Sequence, residues 1–399
     1  MYKYRIGVVK SDMGGCFQYR VLQPFNELRR LGVDYTSTAY LPTSPFMDPE
    51  DTLVQWVEQF DLIMVQRCFK YDVFQRLRRA CDIAGRKLVF ETDDDYINLP
   101  AYNPCHAELN APGVMEGFKN ILRESDHITV TTQELKDVYY QYNKNITVLP
   151  NNVENVTLFK DEFVDTLDAS GKIHLRETFG FIQYPSFVEV DNPNTGKRQV
   201  EKLFRLGYTA TPTHRQDFLT IREHLGRFLE KFPNTIMFYF GDEWFLQNHP
   251  SHHKNVVFMR NMPHDLYMQN IRIFDLGIAP LVPDIFNMGK SSLKLLEYGS
   301  WGIPGLAPDY ITYNRHFKDG ETFFGYKNGK EFYDKLCIAA EDHSLRQKVG
   351  LAAANMVHKT RTERENAQER FDLYESIIEG SPKELIFTPN KELTLNGSV

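Results

Sequence analysis

Between Ile278 and Pro304 the chain passes from an apolar strand, through a polar loop containing Asn287 and Gly289, into a helical stretch bearing Lys290, Ser291, Ser292, Lys294 and Glu297. A helix start presents N–H groups that lack intrahelical partners, and Ser291 or Ser292 is available near the cap. Lys290 and Lys294 lie one turn apart on about the same face, and Glu297 follows three residues after Lys294, so all three can border one cleft. Such a start attracts an anion, and the lysines add point charges to it. A lysine-assisted diphosphate site with a carboxylate reaching a sugar hydroxyl fits these residues, and so does a solvated Lys–Glu helix face.

Three other groups carry side chains suited to chemistry. Glu91, Asp93, Asp94 and Asp95 put four acids within five positions after the strand Lys87–Phe90. So many like charges repel unless something uses them, which directs at least one toward a cleft. Asp93 and Asp95 also have the Asp-x-Asp spacing with which a divalent ion can be held against a diphosphate. Gly14 and Gly15 let the backbone turn and approach a ligand, ahead of Tyr19 and Arg20 on the first turns of the next helix. Ligand contact and packing beneath a sheet are the competing readings for Tyr19. A small polar loop with Thr211 and Thr213 then opens a helix with His214, Arg215 and Asp217; there a threonine can cap and Arg215 can pair with Asp217 or a neighbour. The chain contains no His-x-x-His or His-Glu-x-x-His cluster, no Gly-x-Ser-x-Gly elbow and no Walker-type phosphate loop.

These residues sit at the ends of repeated strand and helix units. Strands are expected at about 4–10, 61–65, 87–91, 127–131 and 146–149, with a helix carrying Val21, Leu22, Phe25, Leu28 and Leu31 that Gly32 stops. Residues 151 to about 205 break the rhythm, and Asp191-Asn192-Pro193-Asn194-Thr195-Gly196 is a turn signal, so a small β hairpin or irregular insertion is expected. The rhythm resumes with a helix at 215–231, strands at 236–240, 256–259 and 273–278, and the helix from Ser291 to Tyr298. Buried strands with connections of this length form doubly wound sheets, and two of them place a cleft between them. A helix at 363–379, stopped by Gly380, has no core strand after it and is expected to return toward the first domain, followed by a peripheral tail. The resulting division is 1–150, 151–205, 206–362 and 363–399.

Composition agrees with two globular domains, since 42% of the 399 residues are hydrophobic and 25% charged. A net charge of -7 offers nucleic acid no attractive field and leaves room for a local basic pocket. Five scattered cysteines fit thiols in a reducing compartment. The alternating Tyr2, Tyr4, Ile6 and Val8 run directly into a strand rather than a secretion signal, and no run approaches a membrane span. A cytoplasmic location is expected, compatible with peripheral attachment to a membrane through one amphipathic or aromatic patch.

The segment from Pro280 to Pro304 resembles the donor-binding motif of the two-domain, family-4-type glycosyltransferases, in a bacterial branch that reads roughly PL-x-x-x-x-FN-x-x-KS-x-x-K-x-LEY-x-x-x-GIP. The match runs through Pro280, Leu281, Phe286, Asn287, Lys290, Ser291, Lys294, Leu296, Glu297, Tyr298, Gly302, Ile303 and Pro304. Gly207 to Phe218 is similar to the GY-x-G-x-x-x-H-x-x-DF/L opening of the same donor domain, with Ala210 at the second glycine position. Gly15, Tyr19, Arg20 and Pro24 match a G-x-x-x-YR-x-x-x-P start, and Glu91, Asp93, Asp94, Leu99 and Pro100 match an acidic E-x-DD-x-x-x-x-LP segment.

The resemblance implies an α/β fold of two facing Rossmann-like domains, the GT-B architecture. It implies transfer of a hexose or deoxyhexose from a nucleoside diphosphate to a hydroxyl, with retention of anomeric configuration. Lys290 and Arg215 would stabilise the leaving diphosphate, and Asp93 and Asp94 would orient the attacking hydroxyl. Glu297 would hold the ribose, with Gly14, Gly15, His214, Asn287, Ser291 and Lys294 also on the donor side; Tyr19, Arg20 and Glu91 would lie on the acceptor side. The implied partners are a sugar nucleotide and an acceptor such as a growing glycan or lipid-linked sugar, in surface polysaccharide or glycoconjugate synthesis. No tightly bound cofactor, essential divalent metal or nucleic acid is expected. One departure stands out: many members of the wider group carry a glutamate eight positions before Glu297, where this chain has Gly289, so Asn287 or Asp284 would take over part of its hydrogen bonding. A catalytically inactive binding protein of the same fold and a nucleotide-sugar epimerase are the alternatives.

Overall fold

The computed structural model describes residues 2–10, 13–39, 50–156, 198–250 and 255–380, with the short strands Thr166–Leu167, Ile173–His174 and Phe187–Asp191. In the first domain, β1 (Tyr4–Lys10), β2 (Val33–Ala39), β3 (Leu62–Gln66), β4 (Lys87–Glu91), β5 (His127–Val130) and β6 (Ile146–Val148) form one parallel sheet in the order β2-β1-β3-β4-β5-β6. Every residue of β3 is buried, as a strand covered on both faces requires. Sequence reading missed β2. It is an edge strand, Val-Asp-Tyr-Thr-Ser-Thr-Ala, with only Val33 fully buried, so it carries no continuous apolar run.

Four short strands follow: β7 (Thr166–Leu167), β8 (Ile173–His174), β9 (Phe187–Asp191) and β10 (Arg198–Lys202). Strands β9 and β10 pair antiparallel as the expected hairpin; the turn at 192–197 lies outside the described residues, as does the tail beyond Gly380. The second domain holds β11 (Phe204–Ala210), β12 (Thr235–Gly241), β13 (Val256–Arg260), β14 (Leu276–Ile278), β15 (Gly305–Pro308) and β16 (Phe324–Tyr326), all parallel in the order β13-β12-β11-β14-β15-β16. Strands β15 and β16 were not expected, being only four and three residues long. The expected helix at 215–231 is two, Arg215–Leu219 and Arg222–Lys231, separated where the Thr220 hydroxyl bonds back to Asp217 O at 2.6 Å. The architecture is thus the expected pair of Rossmann-like sheets, with strand order reversing between β1 and β3 and between β11 and β14, where open α/β sheets place their ligands.

The helical segment after β1 changes winding. It is α over Gly15–Phe17, π over Gln18–Leu22 and α again over Gln23–Leu28. Pro24 has no N–H to return to the Arg20 carbonyl, so the α ladder widens there. The change of winding coincides with a division of labour: Tyr19 enters the apolar core of the second domain, while Arg20 turns into the first and is 0% exposed.

Two chain passes join the domains side by side. Val153 N–H donates to Arg361 O at 3.0 Å and Glu363 N–H to Val153 O at 2.9 Å. The helix Glu363–Glu379 then lies on the first domain, where Leu373 and Tyr374 pack with Ile6, Val8 and Phe25. Charges are buried at this junction: burial pushes the Glu363 carboxyl up to about 7, although Arg370, Arg20 and Arg361 pull it down. A carboxyl whose folded pKa exceeds its unfolded value holds its proton longer in the folded state, so stability is lost as pH rises from about 4.5 to about 7. Glu363→Gln is therefore expected to raise Tm more at pH 8 than at pH 5, measured by thermal denaturation of both proteins at both values; an equal Tm difference would show that Glu363 ionises alike in both states.

Candidate functional site

The carboxyl ends of the two sheets face each other, and the residues that follow those strands bond across the gap. Lys290 Nζ lies 3.3 Å from Asp94 Oδ1, Tyr19 Oη donates to Glu297 Oε1 at 2.5 Å, and Thr132 Oγ1 donates to Gly289 O at 2.8 Å. Tyr102 bonds Asp284, and Arg315 pairs with Glu134 at 2.6 Å. Phe286 from the second domain joins the apolar core of the first.

The loop after β14 is built before it meets any ligand. Asp284 caps the short helix Ile285–Met288 by accepting Asn287 N–H at 2.8 Å, and the Asn287 amide donates to Val282 O at 2.9 Å. Asn287 is 1% exposed, and its amide shapes the loop. Arg315 clamps the same loop through Lys290 O at 2.7 Å and Met288 O. Ser291 Oγ accepts from the Asn151 amide at 3.0 Å and so ties the loop to the domain junction. Ser292 begins the helix Leu293–Ser300 without a side-chain cap bond, and its buried Oγ has no partner among the described residues.

Both lysines flank that start. Burial works against the Lys290 charge, but Asp94 and Asp217 outweigh it and the ammonium is held above its ordinary range. Lys294 is brought down to about 8 by burial and by Lys290, with Glu297 opposing. Its Nζ lies 2.9 Å from His214 Nε2, and His214 Nδ1 lies 2.7 Å from Asp217 Oδ2. Glu297 is 5% exposed and accepts from Tyr267 at Oε2, 2.5 Å, as well as from Tyr19. Burial raises its pKa, while the two tyrosine hydroxyls and Lys294 lower it.

Gly289 has a structural reason. A Cβ built there would stand 2.8 Å from Leu135 Cδ2, and Leu135 is a fully buried core residue of the first domain. The loop seats directly on that leucine, and a longer side chain at 289 would require Leu135 to shift.

On the first domain, Asp93 and Asp94 follow β4 into the cleft region. Burial and the adjacent Asp94 raise the Asp93 pKa, with Arg67 opposing, and Asp93 Oδ1 has no partner among the described residues. Asp95 turns elsewhere: its carboxylate accepts from Ile97 N–H, Asn98 N–H and the Asn98 amide. The Asp-x-Asp pair is therefore split between cleft and turn, and no cluster of three or more His, Cys, Asp or Glu suited to a metal occurs among the described residues. Gly14 and Gly15 are exposed on the loop after β1, and the Cβ direction of Gly15 is open.

Two expected site residues are placed differently, and one alternative pairing is not seen. Arg20 and Glu91, read as acceptor-side groups, are both 0% exposed. Arg20 bonds Glu91 Oε1 at 2.7 Å, Leu149 O at 2.6 Å and Asn151 Oδ1 at 3.0 Å, and Thr129 bonds Glu91 Oε2; the pair lies beneath the cleft and braces the junction. Arg215 does not pair with Asp217. Its Nε bonds Asp242 Oδ2 at 2.7 Å and its guanidinium lies 5.7 Å from the Trp244 ring, whereas Asp217 engages His214.

Sequence reading missed Tyr267, Arg315 and Arg67. Tyr267 lies 30 positions before Glu297, and Arg315 follows the motif on another element, so neither had a local signal. Arg67, just after β3, takes a left-handed backbone with φ 50, a conformation that costs a non-glycine residue energy and tends to occur at functional sites. Its charge acts on Asp93.

A family model described as "Glycosyl transferase-like" matches residues 222–372. No curated protein gives a significant match. Among solved structures, the Anabaena protein HepE in complex with UDP and glucose superposes with a TM-score of 0.64 at 12% identity, over 94% of this chain and 100% of that one. A glycosyltransferase from Rickettsia africae gives 0.62 at 12% identity over 96% and 100%. Sucrose-phosphate synthase from Thermosynechococcus elongatus gives 0.59 at 13% identity over 95% and 100%. At these identities the likeness is one of fold: the chain has the GT-B architecture, and residues 222–372 are similar to the glycosyl transferase-like family.

Proposed function

We propose that this chain is a retaining glycosyltransferase that moves a sugar from a nucleoside-diphosphate sugar to a hydroxyl acceptor in surface polysaccharide or glycoconjugate synthesis. The observation that carries the reading is the convergence, at the β11/β14 switch point, of Lys290, Lys294, a helix start whose buried Ser292 hydroxyl has no partner among the described residues, and the carboxylate of Glu297. Cations and N–H groups suit a diphosphate, and a carboxylate suits a ribose diol. HepE, the Anabaena protein of similar fold, binds UDP and glucose, which agrees with a nucleotide sugar as ligand.

Negative charge grows on the diphosphate as the glycosidic bond breaks, and Lys290 is fixed where it can follow that charge. The Lys290–Asp94 pair across the cleft adds an order to events. A diphosphate competing for Lys290 frees the Asp94 carboxylate, which with Asp93 then orients the acceptor hydroxyl. Arg215, held by Asp242, serves as a secondary cation on the same side. A ribose diol on Glu297 would take the place of the Tyr19 hydroxyl, so donor binding and the interdomain contact compete for one carboxylate. With Asp95 spent on Asn98, cationic side chains rather than a metal do the neutralising. No helix among the described residues is long and apolar enough to cross a membrane; the acceptor is read as a cytoplasmic glycan or a lipid-linked sugar at the membrane face.

Incubation with a panel of nucleotide sugars, scored for free nucleoside diphosphate with and without cell-envelope extract and with and without chelator, tests the reading. Acceptor-dependent release that survives chelation is expected. Free sugar nucleotide of inverted configuration without acceptor would make the chain an epimerase, and binding without turnover would make it an inactive relative.

A further inference from the structure

One chain of polar groups runs from the cleft into the second domain. Lys294 Nζ lies 2.9 Å from His214 Nε2, His214 Nδ1 lies 2.7 Å from Asp217 Oδ2, and Asp217 Oδ1 accepts Val282 N–H at 2.7 Å. An ammonium only donates and an ionised carboxylate only accepts. The imidazole between them must therefore carry its proton on Nδ1 and offer the Nε2 lone pair to Lys294. Asp217 is 2% exposed, with one oxygen committed to the loop after β14 and the other to the ring. It also stands in the first turn of the helix Arg215–Leu219, where free N–H groups favour a negative charge.

We infer that Asp217 is a positioning residue for Lys294 that acts through His214, holding the imidazole in the one tautomer able to accept from the ammonium and so keeping Lys294 placed as a cation for a diphosphate. Only the naming of that ligand rests on the function proposed above. The groups that face Lys294 are Lys290 and Glu297 from its own segment and His214 and Asp217 from the segment after β11. Asp94 of the first domain acts on it through Lys290, and Tyr19 and Tyr267 through Glu297. Burial and Lys294 push His214 down to about 4, so the ring stays neutral and able to accept at working pH. Burial brings Lys294 down to about 8, so its charge is sensitive to whether His214 Nε2, at 2.9 Å, can accept from it.

Asp217→Asn is the most discriminating change, because an amide offers one acceptor and one donor where the carboxylate offers two acceptors. With the amide oxygen on Val282 N–H, the NH₂ group faces His214 Nδ1, which must then accept. The ring proton moves to Nε2 and opposes Lys294. Competitive acetylation of the folded full-length chain between about pH 6 and 10, with the Lys294 peptide quantified by mass spectrometry, reads the neutral fraction of this amine. At about pH 7, Lys294 is expected to acetylate about fivefold faster in Asp217→Asn than in the parent, as a fall of roughly one pKa unit on losing a charge-assisted hydrogen bond implies. In a His214→Gln background, where the side chain brings its own acceptor, the same Asp217→Asn change is expected to leave only the smaller effect of losing the Asp217 charge, and an increase as large as in the parent background overturns the relay. An unchanged Lys294 profile in folded Asp217→Asn overturns the inference. Should that variant not fold, His214→Phe removes the acceptor outright, and a parent-like profile there overturns it equally. No nucleotide enters the assay, so failure of this relay and failure of the glycosyltransferase reading are seen separately.

Discussion

Lys290→Ala is expected to lower kcat by about 10²-fold or more, with a much smaller change in KM for the sugar nucleotide. The ammonium is half-buried, lies 3.3 Å from Asp94, and is held charged by Asp94 and Asp217 against the cost of burial. An interaction already met by Asp94 before the donor arrives adds little to ground-state binding. It becomes worth most when Lys290 faces the charge of the departing diphosphate. Asp94→Asn separates this from a purely structural bridge: it removes the competitor for Lys290 and leaves the lysine for the diphosphate, so acceptor-dependent turnover should fall while donor affinity is kept or improved. Steady-state kinetics on folded variants decides the matter. A kcat for Lys290→Ala within about twofold of the parent would remove Lys290 as the leaving-group cation and leave Lys294 and Arg215 to supply it.

Arg20→Ala should be the most destabilising of the substitutions at expected site residues. It strands Glu91, which is 0% exposed, without the guanidinium at 2.7 Å, and it frees Leu149 O and Asn151 at the domain junction. Removing one partner of a buried ion pair costs about 3–5 kcal/mol, a fall in Tm on the order of 10 °C for a domain of this size. Replacing both partners by apolar residues of similar volume, Arg20→Met with Glu91→Leu, should recover most of that loss, because the penalty comes from the stranded charge. Thermal denaturation of the three proteins tests this. If Arg20→Ala keeps its Tm within about 2 °C and loses acceptor turnover instead, Arg20 reaches the substrate and the junction role fails.

What could be read without coordinates follows from where local rules apply. Central strands such as Leu62–Gln66 and Thr235–Gly241 are buried on both faces, and their apolar runs announce them. The helix Glu363–Glu379 is bounded by Thr362, which caps it through Glu365 N–H, and by Gly380 in a left-handed conformation with φ 65, so both ends were legible. The edge strand Val33–Ala39 and the very short strands β15 and β16 were not, because their pairing is decided by neighbours rather than by their own pattern.

At the site, the sequence by itself determined which side chains stand at the ends of strands and on the first turns of helices. Spacing put Lys290, Lys294 and Glu297 beside one cleft, and the family resemblance added His214, Asp93 and Asp94 to it. Only the tertiary structure decided which of them are free to act. The change to π winding at Gln18–Leu22 accompanies the parting of neighbouring Tyr19 and Arg20, one to Glu297 across the cleft and the other to Glu91 beneath it. His214 rather than Arg215 became the partner of Asp217, and Leu135 of the other domain packs where a side chain at Gly289 would begin. Each of these outcomes depends on atoms contributed by segments distant in the chain, whose burial and hydrogen-bond geometry exist only once both sheets have packed.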